Sequence, residues 1–198
     1  MKAMMVVAPE WFLEERRRKG VDQWDEMWEG VLHMPPMPNR AHQDLEGCME
    51  TWLRHFWVPI SGGKCYHQIN VASYGGWPDD YRIPDVVLLT PDRFHIDRNE
   101  YFEGGPTVVV EIRSRGDESY EKFGFYASLD VLEIWVIDRD TRRPEIHRLQ
   151  GSSYIEIPPD SAGHLPSTVT NVRLWISPEG ELAMQLGSDP ATLRELPY

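Results

Sequence analysis

The chain has 198 residues, 41% of them hydrophobic and 26% charged, which is enough for one globular domain with a full core. Thirty-two acidic residues against twenty basic ones give a net charge of −12, which excludes broad adhesion to nucleic acid through a basic surface. A nuclease with a locally basic cleft is still allowed. Cys48 and Cys65 have no C-x-x-C spacing and read as free thiols of a reducing cytoplasm, and no apolar run approaches the ~18 residues of a membrane span. One domain over 1–198 is expected, with an N-terminal helix at about 9–20 and a tail at about 177–198 that is assigned little.

Pro9 to Gly20 predicts a short helix, with Glu14 and Glu15 early and Arg16 to Lys19 late, in line with the helix dipole. Trp24 to Met34 reads as a strand or hairpin stopped by Pro35-Pro36-Met37-Pro38. Asn39 then suits the N-cap of a helix running to about Trp57. Its apolar residues Leu45, Met49, Trp52, Leu53, Phe56 and Trp57 recur at three- and four-residue spacing. Alternation predicts a half-buried strand over Cys65–Ala72, followed by a Gly-Gly-Trp-Pro-Asp-Asp turn.

Strands are expected at Arg82–Leu89 and Pro106–Arg113, and a helix at Asp117–Leu129. Further strands are expected at Val131–Asp138, Pro144–Leu149, Ser153–Ile157 and Val169–Ile176. Strand–helix–strand order flanked by meander-like strands indicates an α/β or α+β fold with a mixed sheet. The run Val108-Val109-Val110 implies a central strand covered on both faces.

Two of these strands carry a carboxylate that burial alone does not explain, Asp85 after Pro84 and Glu111 after the valine run. A buried carboxylate is costly unless paired, hydrogen-bonded or bound to a cation. If the strands pair, Asp85 and Glu111 can converge on one hard divalent ion, Mg2+ or Mn2+. Arg113 shares the Glu111 face of its strand and could meet phosphate charge, whereas Lys122 on the next helix could also manage a proton. The structural alternative is that Asp85 caps a turn and Glu111 pairs with Arg113. The remaining histidines His33, His67, His95, His147 and His164 have no zinc-ligand spacing, and Ser114 has no partners that would make it a nucleophile.

The order Trp24-Asp25-Glu26, Glu29-Gly30-Val31-Leu32-His33-Met34-Pro35-Pro36, His42, Ile83-Pro84-Asp85, Val110-Glu111-Ile112-Arg113-Ser114, Glu121-Lys122, Tyr126 and Glu133-Ile134-Trp135-Val136-Ile137-Asp138 resembles the Uma2 (Uma-two) family. That family belongs to the PD-(D/E)XK nuclease superfamily, and the resemblance spans about Pro9 to Ile176. It implies a restriction-endonuclease-like mixed sheet flanked by helices, with Asp85 and Glu111 as metal ligands. It also implies Mg2+-dependent hydrolysis of DNA phosphodiesters. The superfamily lysine position holds Arg113 here, and Lys122 matches the helix lysine that takes its place in the family. Ser114-Arg115 replaces the frequent Ser-Pro. His42 and Glu29 match recurrent family positions; each is either near the metal cleft or purely structural. A two-fold dimer is the simplest way to cut both strands. The alternative of a different class is a non-catalytic binding or assembly protein on a nuclease fold, motivated by the acidic charge.

Overall fold

The computed structural model describes residues 3–5 and 8–197. The N-terminal helix spans Glu10–Lys19 and ends at Gly20, whose φ of 62° places it in the left-handed region favoured at helix ends. It buries no residue of its own. Arg16 ties it to the next segment through Asp25, with Nε–Oδ2 at 2.5 Å and Nη2–Oδ1 at 2.6 Å. The expected hairpin follows as Glu26–Trp28 and Val31–Met34.

The long helix begins where the capping argument places it, with the Asn39 side chain accepting from the His42 N–H at 3.0 Å. It runs regularly over Arg40–Trp52, widens into a π turn over Leu53–Trp57 and closes with Val58–Ser61. The wide turn lies just ahead of Pro59, whose ring clashes with a regular carbonyl four residues earlier. Leu45, Met49, Trp52, Leu53 and Trp57 form the buried face.

That face lies on a central six-stranded sheet with the order Ser153–Glu156, Pro144–Gln150, Glu133–Asp138, Val108–Arg113, Val86–Leu89, Lys64–His67. Val108–Arg113 and Glu133–Asp138 run parallel, and the other neighbours are antiparallel, so the sheet is mixed. Val108 and Val110 point into a core with the long helix, whereas Val109 packs on the opposite side with Tyr126, Leu129 and Phe102. The central strand is thus covered on both faces, as its continuous apolar run requires. A second six-stranded sheet has the order Ala3–Met5, Val31–Met34, Glu26–Trp28, Tyr81–Arg82, Asn70–Ala72, Tyr101–Glu103. The fold is a mixed α+β architecture.

Three expected elements around the cleft differ. Cys65–Ala72 is two strands: Lys64–His67 joins the central sheet, and Asn70–Ala72 joins the second sheet. The break falls at Gln68, whose φ of 48° no alternation pattern reveals. Arg82–Leu89 divides likewise into Tyr81–Arg82 and Val86–Leu89. Pro84, which has no N–H to give a ladder, lies in the crossing, and the Gln68 N–H donates to the Asp85 carbonyl at 3.1 Å where the two crossings meet. The helix expected from Asp117 is confined to Phe123–Ser128. Asp117 instead accepts from the Ser114 and Ser119 N–H groups and the Ser119 hydroxyl, which holds residues before Lys122 in turns. Lys122 therefore sits at the N-cap, not inside a helix.

Beyond Ser177, where the sequence suggests little, Leu182–Leu186 and Arg194–Leu196 complete a four-stranded antiparallel sheet with Leu165–Pro166 and Val172–Ile176. The strand Val172–Ile176 is also shorter than the expected Val169–Ile176.

Two consequences are testable. A Cβ on Gly105 would lie 2.0 Å from the Leu129 carbonyl oxygen and 3.2 Å from the Val131 nitrogen, both main-chain atoms. Gly105→Ala is therefore expected to cost about 3 kcal/mol, read from urea midpoints, because backbone cannot yield as a flexible side chain does. Both cysteines are free, and burial pushes the Cys65 thiol up to about 12. Iodoacetamide is expected to alkylate Cys65 only after denaturation, which peptide mapping would read directly.

Candidate metal and nuclease centre

The register of the two central strands fixes the site. Val86 lies opposite Val110, so Asp85, the residue before Val86, falls beside Glu111. The Asp85 Oδ2 accepts from the Ile112 N–H at 2.5 Å, which extends the strand pairing by a side chain. Its Oδ1 lies 2.8 Å from His42 Nε2 on the first turn of the long helix. One turn later Glu46, 4% exposed, faces the same point at 3.9 Å from His42 Nε2. Glu46 is held by Gln68 Nε2 at 3.0 Å and lies 3.3 Å from His67 Nδ1. One ligand atom from each of His42, Glu46 and Asp85 can be chosen so that all lie within 4.8 Å of one another.

Glu111 is 3% exposed and has a separate set of partners. Lys122 Nζ donates to its Oε2 at 3.0 Å, and the Tyr126 hydroxyl donates to its Oε1 at 2.6 Å. The same Lys122 Nζ lies 2.8 Å from Oε1 of buried Glu26, which also accepts from the Ile83 N–H and, through Oε2, from the Trp28 indole N–H. One ammonium thus serves two buried carboxylates, with Asp85 as a third nearby. Burial raises the Glu111 carboxyl, Asp85 and Glu26 raise it further, and Lys122 opposes both. Burial works against the charge on Lys122, but Glu111 and Glu26 outweigh it and hold the ammonium firmly protonated. For His42 burial is likewise outweighed, by the Asp85 hydrogen bond and the charges of Asp85 and Glu46, so its pKa is raised.

Asp85, Glu111, Lys122 and His42 all line one cavity of about 350 Å³. Arg113 and Glu29 do not. The Arg113 Nη1 pairs with Asp138 Oδ2 at 3.3 Å, and its guanidinium lies 5.3 Å from the centre of the Tyr120 ring. Glu29 occupies the exposed hairpin turn with a φ of 49°, and its N–H donates to Asp80 Oδ1 at 3.2 Å. Sequence reasoning did not select Glu26, Glu46 or Arg139. The i, i+4 spacing of His42 and Glu46 on one helix face was an available signal for the second of these. Glu26 and Arg139 carry no comparable pattern.

The donor set fits a hard divalent cation. Carboxylate oxygens with one imidazole suit Mn2+ and, through the oxygens, Mg2+. The carboxylates outnumber Lys122, and a bound cation would offset them.

A family model described as "Uma2: Putative restriction endonuclease" matches residues 20–179. The chain belongs to the Uma2 family. Its fold is shared with a protein from Anabaena variabilis ATCC 29413 described as a "putative nuclease belonging to DUF820". The TM-score is 0.59 at 18% identity, over 74% of this chain and 82% of that one. No curated protein matches the sequence. Among the described residues no helix is long and apolar enough to cross a membrane. Asp85 just ahead of one strand, Glu111 within the next and Lys122 at a helix cap are thus drawn into one cleft.

Proposed function

We propose that this Uma2 chain is a divalent-metal-dependent endonuclease that hydrolyses DNA phosphodiester bonds. The observation that carries this reading is the Asp85 side chain, which touches His42 on one side and neighbours the Glu111–Lys122 pair on the other, within one cavity. Asp85 and Glu111 would hold Mg2+ or Mn2+, with His42 and Glu46 completing the Asp85 side. A cation bound there supplies Lewis-acid polarisation of the phosphodiester and offsets its developing negative charge.

The chain's own residues do the rest. The Ile112 N–H holds one oxygen of the Asp85 carboxylate, and the other lies against His42. Tyr126 and Lys122 hold both oxygens of Glu111 and prevent it from rotating away. Lys122, kept charged between Glu111 and Glu26, has one remaining N–H with which it orients an attacking water. Cutting both strands would require two such clefts, most simply from a two-fold dimer.

Purified protein is expected to nick and linearise supercoiled plasmid in Mg2+ or Mn2+ and to be silent in EDTA. Mn2+ soaked into a crystal is expected to give an anomalous peak beside Asp85. Absence of both cleavage and metal binding would favour a non-catalytic binding protein on the same fold.

A further inference from the structure

The parallel strands Val108–Arg113 and Glu133–Asp138 end side by side, with Asp138 opposite Arg113. The Arg139 N–H donates to the Arg113 carbonyl at 2.9 Å, so the pairing extends one residue beyond the strand. Arg113 turns away to Asp138, whereas Arg139 lines the cleft. Carboxyl ends of neighbouring parallel strands are where such sheets present ligand-binding groups. His42 lines the same cavity, and the charge of Arg139 acts on it.

The cleft is lined by Glu26, Asp85, Glu111, Asp117 and Glu118 against Lys122, Arg115 and Arg139. Lys122 is committed to Glu26 and Glu111. An incoming polyanion therefore meets the arginines. Arg139 is held in a two-point contact by its sequence neighbour Asp140, with Nε–Oδ1 at 2.9 Å and Nη2–Oδ2 at 3.2 Å. The arginine side chain is 21% exposed and that of Asp140 is 62% exposed. A planar guanidinium that grips a carboxylate in this way matches two phosphate oxygens equally well. The Asp140 carboxylate, largely in water, is easily exchanged.

We infer that Arg139 forms a phosphate-binding subsite for the nucleic-acid backbone, and that Asp140 occupies the guanidinium in the free protein and is displaced by a substrate phosphodiester. This rests on the nuclease reading and assigns to Arg139 the phosphate contact that sequence spacing suggested for Arg113.

The test is fluorescence anisotropy of a labelled DNA duplex in Ca2+, with binding constants measured across a potassium chloride series. Arg139→Ala is expected to weaken binding and to reduce the slope of log K against log salt by about 1, the signature of one lost phosphate contact. Asp140→Ala is expected to tighten binding, because the guanidinium no longer has a competing partner. Arg139→Lys is expected to keep the slope while binding more weakly than wild type. An unmoved slope in Arg139→Ala overturns the subsite while wild-type binding leaves the nuclease reading standing. If Asp140→Ala weakens binding as Arg139→Ala does, the pair is structural and the inference fails. A wild-type protein that binds no duplex overturns the nuclease reading and the subsite together.

Discussion

Asp85→Asn and Glu111→Gln are each expected to reduce DNA cleavage by at least about a hundredfold without unfolding the protein, since groups that merely support metal ligands already cost 10- to 100-fold. Both replacements preserve shape. An asparagine at 85 can still accept from the Ile112 N–H with its carbonyl oxygen while its amide faces His42. A glutamine at 111 still accepts from Tyr126 or Lys122 and removes one carboxylate from a cleft that already has a surplus. Stability is therefore expected to stay near wild type while turnover disappears. Plasmid cleavage rates beside thermal melts separate the two effects. Cleavage that survives both substitutions would remove these residues from the chemistry.

Lys122→Met is expected to act in the opposite way, on the fold first. Glu26 and Glu111, with side chains 5% and 4% exposed, would face each other with no cation between them. Breaking a buried pair by deleting one partner costs about 3–5 kcal/mol, because the remaining charge is left buried. The sign with pH follows from linkage. Burial already raises the folded-state Glu111 carboxyl above its unfolded value, and loss of the opposing ammonium raises it further. The deficit of the variant is thus small at acidic pH, where Glu111 is protonated in both states, grows as pH rises above the unfolded carboxyl value, and levels off above the folded one. Urea midpoints at acidic and neutral pH read this directly. Adding Glu111→Gln to Lys122→Met is expected to restore part of the loss, a coupling that a simple packing defect would not show.

How much of this the sequence carried depended on whether the signal was local. The long helix was legible because its buried stripe and its Asn39 cap lie in one segment. Asp85 and Glu111 were legible because each interrupts an apolar run, and their strands do pair. The strand breaks at Gln68 and Pro84 were not. Burial continues from one sheet into the next, so the hydrophobic pattern does not change where the chain changes partners. The helix expected from Asp117 failed because side chains that cap a helix also close tight turns. The role of Arg113 was inferred from its spacing after Glu111. Its partner Asp138 lies on a neighbouring strand, which spacing cannot reveal. Glu26 reaches from a strand of the second sheet to Lys122 at a helix cap and leaves no trace in either segment's periodicity.

The C-terminal sheet bears on how the family itself is delimited. The match to the family model stops at residue 179, yet Leu182, Met184, Leu186 and Leu196 fill the same core as Leu45, Met49 and Trp52. The Trp52 indole N–H is anchored to the Thr192 carbonyl at 2.7 Å. That helix carries His42 and Glu46 on its first two turns. An expression boundary drawn where the family match ends would strip the scaffold from behind His42 and Glu46 while leaving both residues in place. Such a truncation would look complete in an alignment and be hollow in three dimensions.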